Sequence, residues 1–192
     1  MIAIIHYNAG NVASVANALN RLGLSSTITN DAATIAAADK VIFPGVGEAK
    51  SAMAFLRQYQ LDEVIIHLTQ PVLGICLGMQ LMCTASEEGN TIGLGIFDTQ
   101  VKKFPAGNIV PHMGWNSISF AESPLLQQVN TGSDVYFVHS YYARPCAHTI
   151  ATCNYILPFS AALQKNNFYA TQFHPEKSAD TGLQILKNFL SL

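Results

Sequence analysis

The chain opens on a short apolar run, residues 2–6, that reads as a strand. Asn11 stands where it can cap a helix, and Val12, Val15, Ala16, Leu19 and Leu22 then share one helical face until Gly23 ends it. β-Branched residues mark 24–29 as a second strand, and residues 32–38 read as a short helix. A third strand, 40–43, stops at Pro44-Gly45-Val46-Gly47, and two helical patterns follow at 48–58 and 62–68. The apolar run 71–75 leads into Gly74-Ile75-Cys76-Leu77-Gly78, and Met79-Gln80-Leu81-Met82 continues as helix. Such alternation implies a parallel sheet covered on both faces. Right-handed crossovers would then gather the βα loops at the carboxyl ends of the strands, where open α/β sheets bind ligands.

The second half is richer in strand signals. Residues 99–104, 116–120, 135–142, 149–155, 161–164 and 168–173 are predicted strands, and 181–190 a closing helix. No internal repeat, low-complexity run or linker breaks the pattern, so the 192 residues are expected to form a single domain.

Composition narrows the function classes. A formal net charge of −2 and a charged fraction of 11% argue against nucleic acid or an anionic membrane as partner. No stretch approaches the ~18 apolar residues of a membrane span. The first residues lack the basic start of a secretory segment, which suggests a cytoplasmic protein. Cys76, Cys83, Cys146 and Cys153 are then expected as free thiols. None stands at metal-ligand spacing from a second Cys or a His, so neither metal nor cofactor is expected. Cys83, seven residues after Cys76, reads as a core thiol on the same helix face. His6, His67 and His148 read as structural or surface residues.

Cys76 carries the strongest chemical signal. A nucleophile flanked by glycines at a strand-to-helix junction is the cysteine form of a nucleophile elbow. The glycines let the backbone turn and neighbours pack close, and the helix N-terminus favours thiolate. A free thiol near pKa 8.5 is only a few per cent thiolate at pH 7, so it needs a base. Gln172-Phe173-His174-Pro175-Glu176 supplies one. Pro175 biases His174 toward extended backbone, where residues i and i+2 share a side, so Glu176 can orient the imidazole. The N–H of Leu77 is a candidate oxyanion donor, and the Gly45-Val46-Gly47 turn, through Val46, a candidate for the second. Taken singly, these motifs also fit a buried structural thiol, a surface turn and a plain loop. Together, each at the end of a predicted strand, they define a site.

These residues carry a resemblance. Gly-Ile-Cys-Leu-Gly-Met-Gln at 74–80 and Gln-Phe-His-Pro-Glu-Lys-Ser at 172–178 are similar to the class I (triad) glutamine amidotransferases. Pro-His-Met-Gly-Trp-Asn at 111–116 and Tyr-Asn-Ala-Gly-Asn at 7–11 resemble, more narrowly, the glutaminase subunits of imidazole glycerol phosphate synthases. The resemblance spans essentially the whole chain. It implies a flavodoxin-like α/β fold with a mixed, mostly parallel central sheet and helices on both faces. It implies a Cys76, His174, Glu176 triad that hydrolyses L-glutamine through a thioester, with Gly47, Gln80, Ser140 and Tyr141 binding the substrate. It also implies a heterodimer with a (β/α)₈-barrel cyclase that uses the ammonia, faced by Asn11, His112, Met113, Trp115 and Asn116.

Two positions depart from the family's first loop, which usually reads Asp-Tyr-Gly-x-Gly-Asn. Here His6 replaces Asp and Asn8 replaces Gly. Asn tolerates left-handed backbone, whereas His6 removes a negative charge and alters contacts in that loop. Three other readings remain open on the sequence: the same chemistry serving another acceptor, a non-catalytic subunit that kept the fold, and a cysteine peptidase or related hydrolase.

Overall fold

The computed structural model of the chain describes residues 1–7 and 9–192. In chain order its first half runs β1 (Ile2–Ile5), α1 (Val12–Arg21), β2 (Ser26–Thr29), α2 (Ala32–Ala36), β3 (Lys40–Gly45), α3 (Ala49–Gln58), α4 (Leu61–Ile66), β4 (Val72–Cys76) and α5 (Leu77–Leu81). The second half runs β5 (Cys83–Ser86), β6 (Thr91–Ile92), β7 (Phe97–Lys103), β8 (His112–Ser117), β9 (Ser119–Phe120), β10 (Asp134–His139), β11 (Tyr141–Ala143), β12 (Thr149–Tyr155), β13 (Leu157–Lys165), β14 (Phe168–Thr171) and α6 (Ala179–Ser191).

Eight strands form the central sheet, ordered β2-β1-β3-β4-β14-β13-β12-β9. From β2 to β14 every pairing is parallel, and from β14 to β9 every pairing is antiparallel. The 2-1-3-4 start is the flavodoxin-like order, and the mixed α/β sheet expected from the sequence is the one observed. Side chains alternate between two cores. Ala3, Ile5, Val41 and Phe43 face α3 and α4, which contribute Met53, Leu56, Leu61 and Ile65. Ile4, Ile42, Leu73 and Ile75 face α1 and α6, which contribute Val15, Leu19, Ile185, Leu186 and Phe189. Burial on both faces explains why these strands read as unbroken apolar runs. Each fully buried Leu, Ile or Phe contributes about 1.5–3 kcal/mol relative to exposure.

The second half departs from the sequence reading in particular places. The elbow helix ends at Leu81, so Cys83 is a core thiol on β5 rather than on a helix face. Neither β5 nor β6 was anticipated; both belong to a four-stranded sheet, β11-β7-β5-β6, beside the site. The predicted strand 135–142 breaks at Ser140 into β10 and β11, which join different sheets. The predicted strand 116–120 starts earlier, as β8, and pairs with β10. β8 carries Gly114 and, after the buried His112, alternates exposed with half-buried positions, a weak strand pattern that only its partner makes regular.

Candidate active site

Three parallel strands of the central sheet end side by side, and the candidate residues follow from their carboxyl ends. Gly45 closes β3 and is in register with Cys76, which closes β4. β14, on the other side of β4, ends at Thr171 and feeds Gln172, Phe173 and His174. The βα-loop geometry expected from the sequence thus brings distant residues to one edge.

Cys76 itself makes the turn, with φ 53° and ψ −105°, a conformation that costs an L-residue of order 1–3 kcal/mol. The flanking glycines act differently, by leaving room. A Cβ on Gly78 would lie 1.8 Å from the Phe43 carbonyl oxygen, and one on Gly74 2.8 Å from the Met82 sulfur. The strained backbone is held because strand and helix close on it without side chains between them. The helix that follows has five residues, so only its first-turn N–H groups act on the sulfur. Gln172 Nε2 donates to Cys76 Sγ at 3.6 Å, and Sγ lies 3.9 Å from the Val138 carbonyl oxygen.

His174 adopts the extended backbone its following proline favours, with φ −96° and ψ 97°. Glu176, however, lies in a 3₁₀ turn, Pro175–Lys177, rather than in an extended i, i+2 arrangement. The turn still brings Oε1 to 2.7 Å from His174 Nδ1, with both side chains fully buried. Nδ1 therefore carries the proton it donates, and Nε2 is left without a hydrogen bond of ordinary geometry, toward the thiol. Burial alone would lower the imidazole pKa; the Cys76 sulfur and then the Glu176 carboxylate outweigh it and push it up to about 10. Ser178 locks the turn: its hydroxyl donates to the His174 carbonyl at 2.7 Å and accepts from Tyr136 N–H at 2.9 Å.

A cleft of about 350 Å³ opens beside the sulfur, within the range of small-molecule sites. Val46, Gly47, Leu77, Gln80, Ser140 and Tyr141 line it with Cys76, so the structure brings the substrate and oxyanion candidates together. Gly47 has φ 129°, open to glycine and strained for any side chain. The Val46 carbonyl accepts from Gly10 N–H at 3.3 Å, which ties the first loop to this turn. Gln80 Nε2 donates to the Tyr141 carbonyl and to Gln172 Oε1, each at 2.9 Å.

Other candidates sit differently from their sequence reading. Asn11 makes no side-chain cap; its amide donates to Glu176 Oε1. It lies 3.3 Å from His174 Nδ1, but both groups are donors, so the bond is the one to the carboxylate. Met113 and Trp115 are exposed on β8, at 64% and 54%, whereas His112 on the same strand is buried and Asn116 half-buried. His6 is exposed, and Asn8 lies outside the described residues.

The sequence reading missed Glu88, Gln172 and His139. Glu88 and His139 line the cleft, and Glu88 Oε2 accepts the Ala49 N–H at 2.8 Å. Burial, opposed by that hydrogen bond, raises the Glu88 carboxyl above its ordinary value. Gln172 lay within the motif that marked His174, but nothing in its spacing distinguished a side chain aimed at Cys76. For Glu88 and His139 the chain carried no local signal.

Comparison with known proteins places this geometry. The family model described as class-I glutamine amidotransferase matches residues 3–192. The chain is 58% identical to the imidazole glycerol phosphate synthase subunit HisH of Bacteroides fragilis, covering 100% of this chain and 99% of that one. It is 50% identical to the subunit of the same name from Pasteurella multocida, covering 98% and 96%. Among solved structures, a glutamine amidotransferase superposes with a TM-score of 0.77 at 17% identity, covering 99% of this chain and 97% of that chain. A second, from Thermotoga maritima, gives 0.67 at 16% identity, covering 99% and 82%. At such identities these structures speak for the fold alone, while the family match and the full-length relatives decide membership: this chain belongs to the class-I glutamine amidotransferase family.

Proposed function

We propose that this chain is the glutaminase subunit of an imidazole glycerol phosphate synthase, acting in histidine biosynthesis. The observation that carries the chemistry is a buried His174–Glu176 pair at the same sheet edge as a strained cysteine, beside a cleft of small-molecule size.

In this reading Cys76 gives its thiol proton to His174 Nε2, and Sγ attacks the carboxamide carbon of L-glutamine. As the carbon–sulfur bond forms, the carbonyl oxygen gains negative charge and is met by the Leu77 N–H and the turn at Val46. The carbon–nitrogen bond then breaks. The imidazolium of His174 gives its Nε2 proton to the departing amine, which leaves as ammonia. Water next attacks the thioester while His174 takes its proton, and glutamate departs as the thiol is restored. Glu176 keeps Nδ1 protonated and stabilises the imidazolium throughout. Asn11, which donates to Glu176, holds that carboxylate in place.

The cleft suits glutamine at its other end as well. Glu88 is the one carboxylate among its described lining residues and is placed to meet the α-ammonium. Gly47 and the backbone at Ser140 and Tyr141 offer polar groups to the rest of the amino-acid head. The ammonia would pass to a (β/α)₈-barrel cyclase subunit docked on the exposed face of β8. Trp115, exposed at 54%, has the character of an interface anchor.

Glutamate release measured on the chain alone and with the barrel subunit from the same histidine pathway tests the proposal. Release stimulated by that subunit and lost in Cys76→Ala is expected. Release that survives Cys76→Ala, or that another amidation partner stimulates instead, overturns it.

A further inference from the structure

A pair of histidines stands beside the cleft, with His139 on its lining. His112 on β8 and His139 on β10 are directly opposite each other in the antiparallel register. Their rings meet at an interplanar angle of 64°, with His112 Nδ1 3.0 Å from His139 Nε2. His139 Nδ1 is 2.7 Å from the Tyr141 carbonyl oxygen, and Asn116 Nδ2 is 3.3 Å from His112 Nε2. Both rings are buried, and Tyr155 and Phe137 stack on the two faces of His112 at 4.0 and 4.7 Å.

The direction of every bond in this chain is forced. A carbonyl only accepts, so His139 Nδ1 carries a proton. In a neutral ring Nε2 then accepts, and His112 Nδ1 is the donor. His112 Nε2 then accepts from the Asn116 amide. The last step agrees with Asn116's other contacts: its Oδ1 already accepts the Ser117 N–H at 2.9 Å, and its Nδ2 also reaches the Asn154 carbonyl at 3.2 Å. Protonating either ring would set two donors against each other. Burial, which lowers both imidazoles, to about 4 for His112 and about 3 for His139, supports the neutral state.

The relay ends where the substrate site begins. The Tyr141 carbonyl also accepts from Gln80, Gln80 donates to Gln172, and Gln172 donates to Cys76 Sγ. We propose that His112 and His139 are positioning residues for the glutaminase reaction, neutral Nδ1–H imidazoles in a one-way relay from Asn116 on β8 to the Tyr141 carbonyl. The relay holds the Ser140 bend, where the broken strand turns into the cleft, in the conformation that accepts glutamine. It rests on the glutaminase reading and adds to it a link between the strand bearing Trp115 and the substrate wall.

Asn places its amide where a histidine places Nδ1, so it keeps the inward donor, whereas Leu removes it. In the complex with the barrel subunit, His139→Leu is expected to raise the KM for glutamine about five- to tenfold, the worth of one buried hydrogen bond, with kcat changed less. His139→Asn is expected to restore most of that loss. His112→Leu and His112→Asn should repeat the contrast with a smaller amplitude, since His112 acts through His139. Side-chain ¹⁵N spectra of the histidine-labelled chain give a readout apart from activity. Both rings should be neutral with the proton on Nδ1 at pH 7. An Nε2–H tautomer or an imidazolium in either ring overturns the relay, and so do Asn and Leu variants with the same KM in an active complex. If His139→Leu fails to fold, the His112 pair and the spectra decide. A parent complex that releases no glutamate overturns the glutaminase reading instead.

Discussion

His174 with Glu176 and His112 with His139 form two buried pairs, and burial works on them with opposite results. His174 shares its proton with Glu176 and faces the Cys76 sulfur, so charge on the ring is compensated and its pKa rises. His112 and His139 face each other, aromatic rings and a carbonyl, so charge has no partner and their pKa values fall. Desolvation is common to both; what differs is whether an anion was buried with the imidazole. One pair is suited to moving protons, and the other to holding a geometry.

The comparison breaks most completely at the charged pair. Replacing His174 with Ala should lower partner-stimulated glutamate release by about 10⁴-fold or more, measured as kcat, as for other triad bases. Glu176→Gln keeps the shape and removes the charge. It should cost about 10²–10⁴ in kcat and lower the His174 pKa, moving the alkaline limb of the pH profile to lower pH. An unchanged limb would mean that the carboxylate is not what raises the imidazole. Ser178 ties the His174 turn to β10, the strand that carries His139. Ser178→Ala leaves a buried N–H and a carbonyl without that partner and should cost about 2 kcal/mol in denaturant unfolding.

The neutral pair gives the smallest and most specific effect. Its pKa values are depressed on folding, so the unfolded chain binds more protons below pH 6.5. Its contribution is therefore fully present above 6.5 and is lost as pH falls toward 4. Facing it, the titratable groups that act on it are His174 and each other; Tyr155 stacks on His112. Unfolding free energy should fall by about 1–2 kcal/mol between pH 6.5 and 5.5, and the slope should flatten in His112→Asn. A raised imidazole such as His174 has the opposite sign, its contribution present below 6.5 and lost as pH rises toward 10.

The two pairs also differ in how visible they were along the chain. His174 and Glu176 are two residues apart and joined by a proline, so local stereochemistry announced them, although the turn proved to be 3₁₀. His112 and His139 meet only because β8 and β10 pair in one register, and a strand pairing across 27 residues leaves no local mark. Asn11 shows the same limit. Its position before a helix suggested a cap, while the fold spends its amide on Glu176. Cys83 kept its expected burial but changed its element, because the elbow helix stops after five residues and the chain enters a second sheet.

By itself the sequence determined the alternation of strand and helix, the glycine-flanked cysteine and the histidine poised by its proline. These depend on backbone sterics and on periods of two and 3.6 residues, which act over a few positions. The tertiary structure alone decided which distant groups share a low-dielectric space: Gln172 on the sulfur, Glu88 in the cleft, and two histidines left without an anion. Such groups acquire their protonation and their donors from neighbours that only the packed sheet edge supplies. The same residue type is therefore suited to carry a proton beside the Cys76 sulfur and to hold a fixed geometry beside the Tyr141 carbonyl.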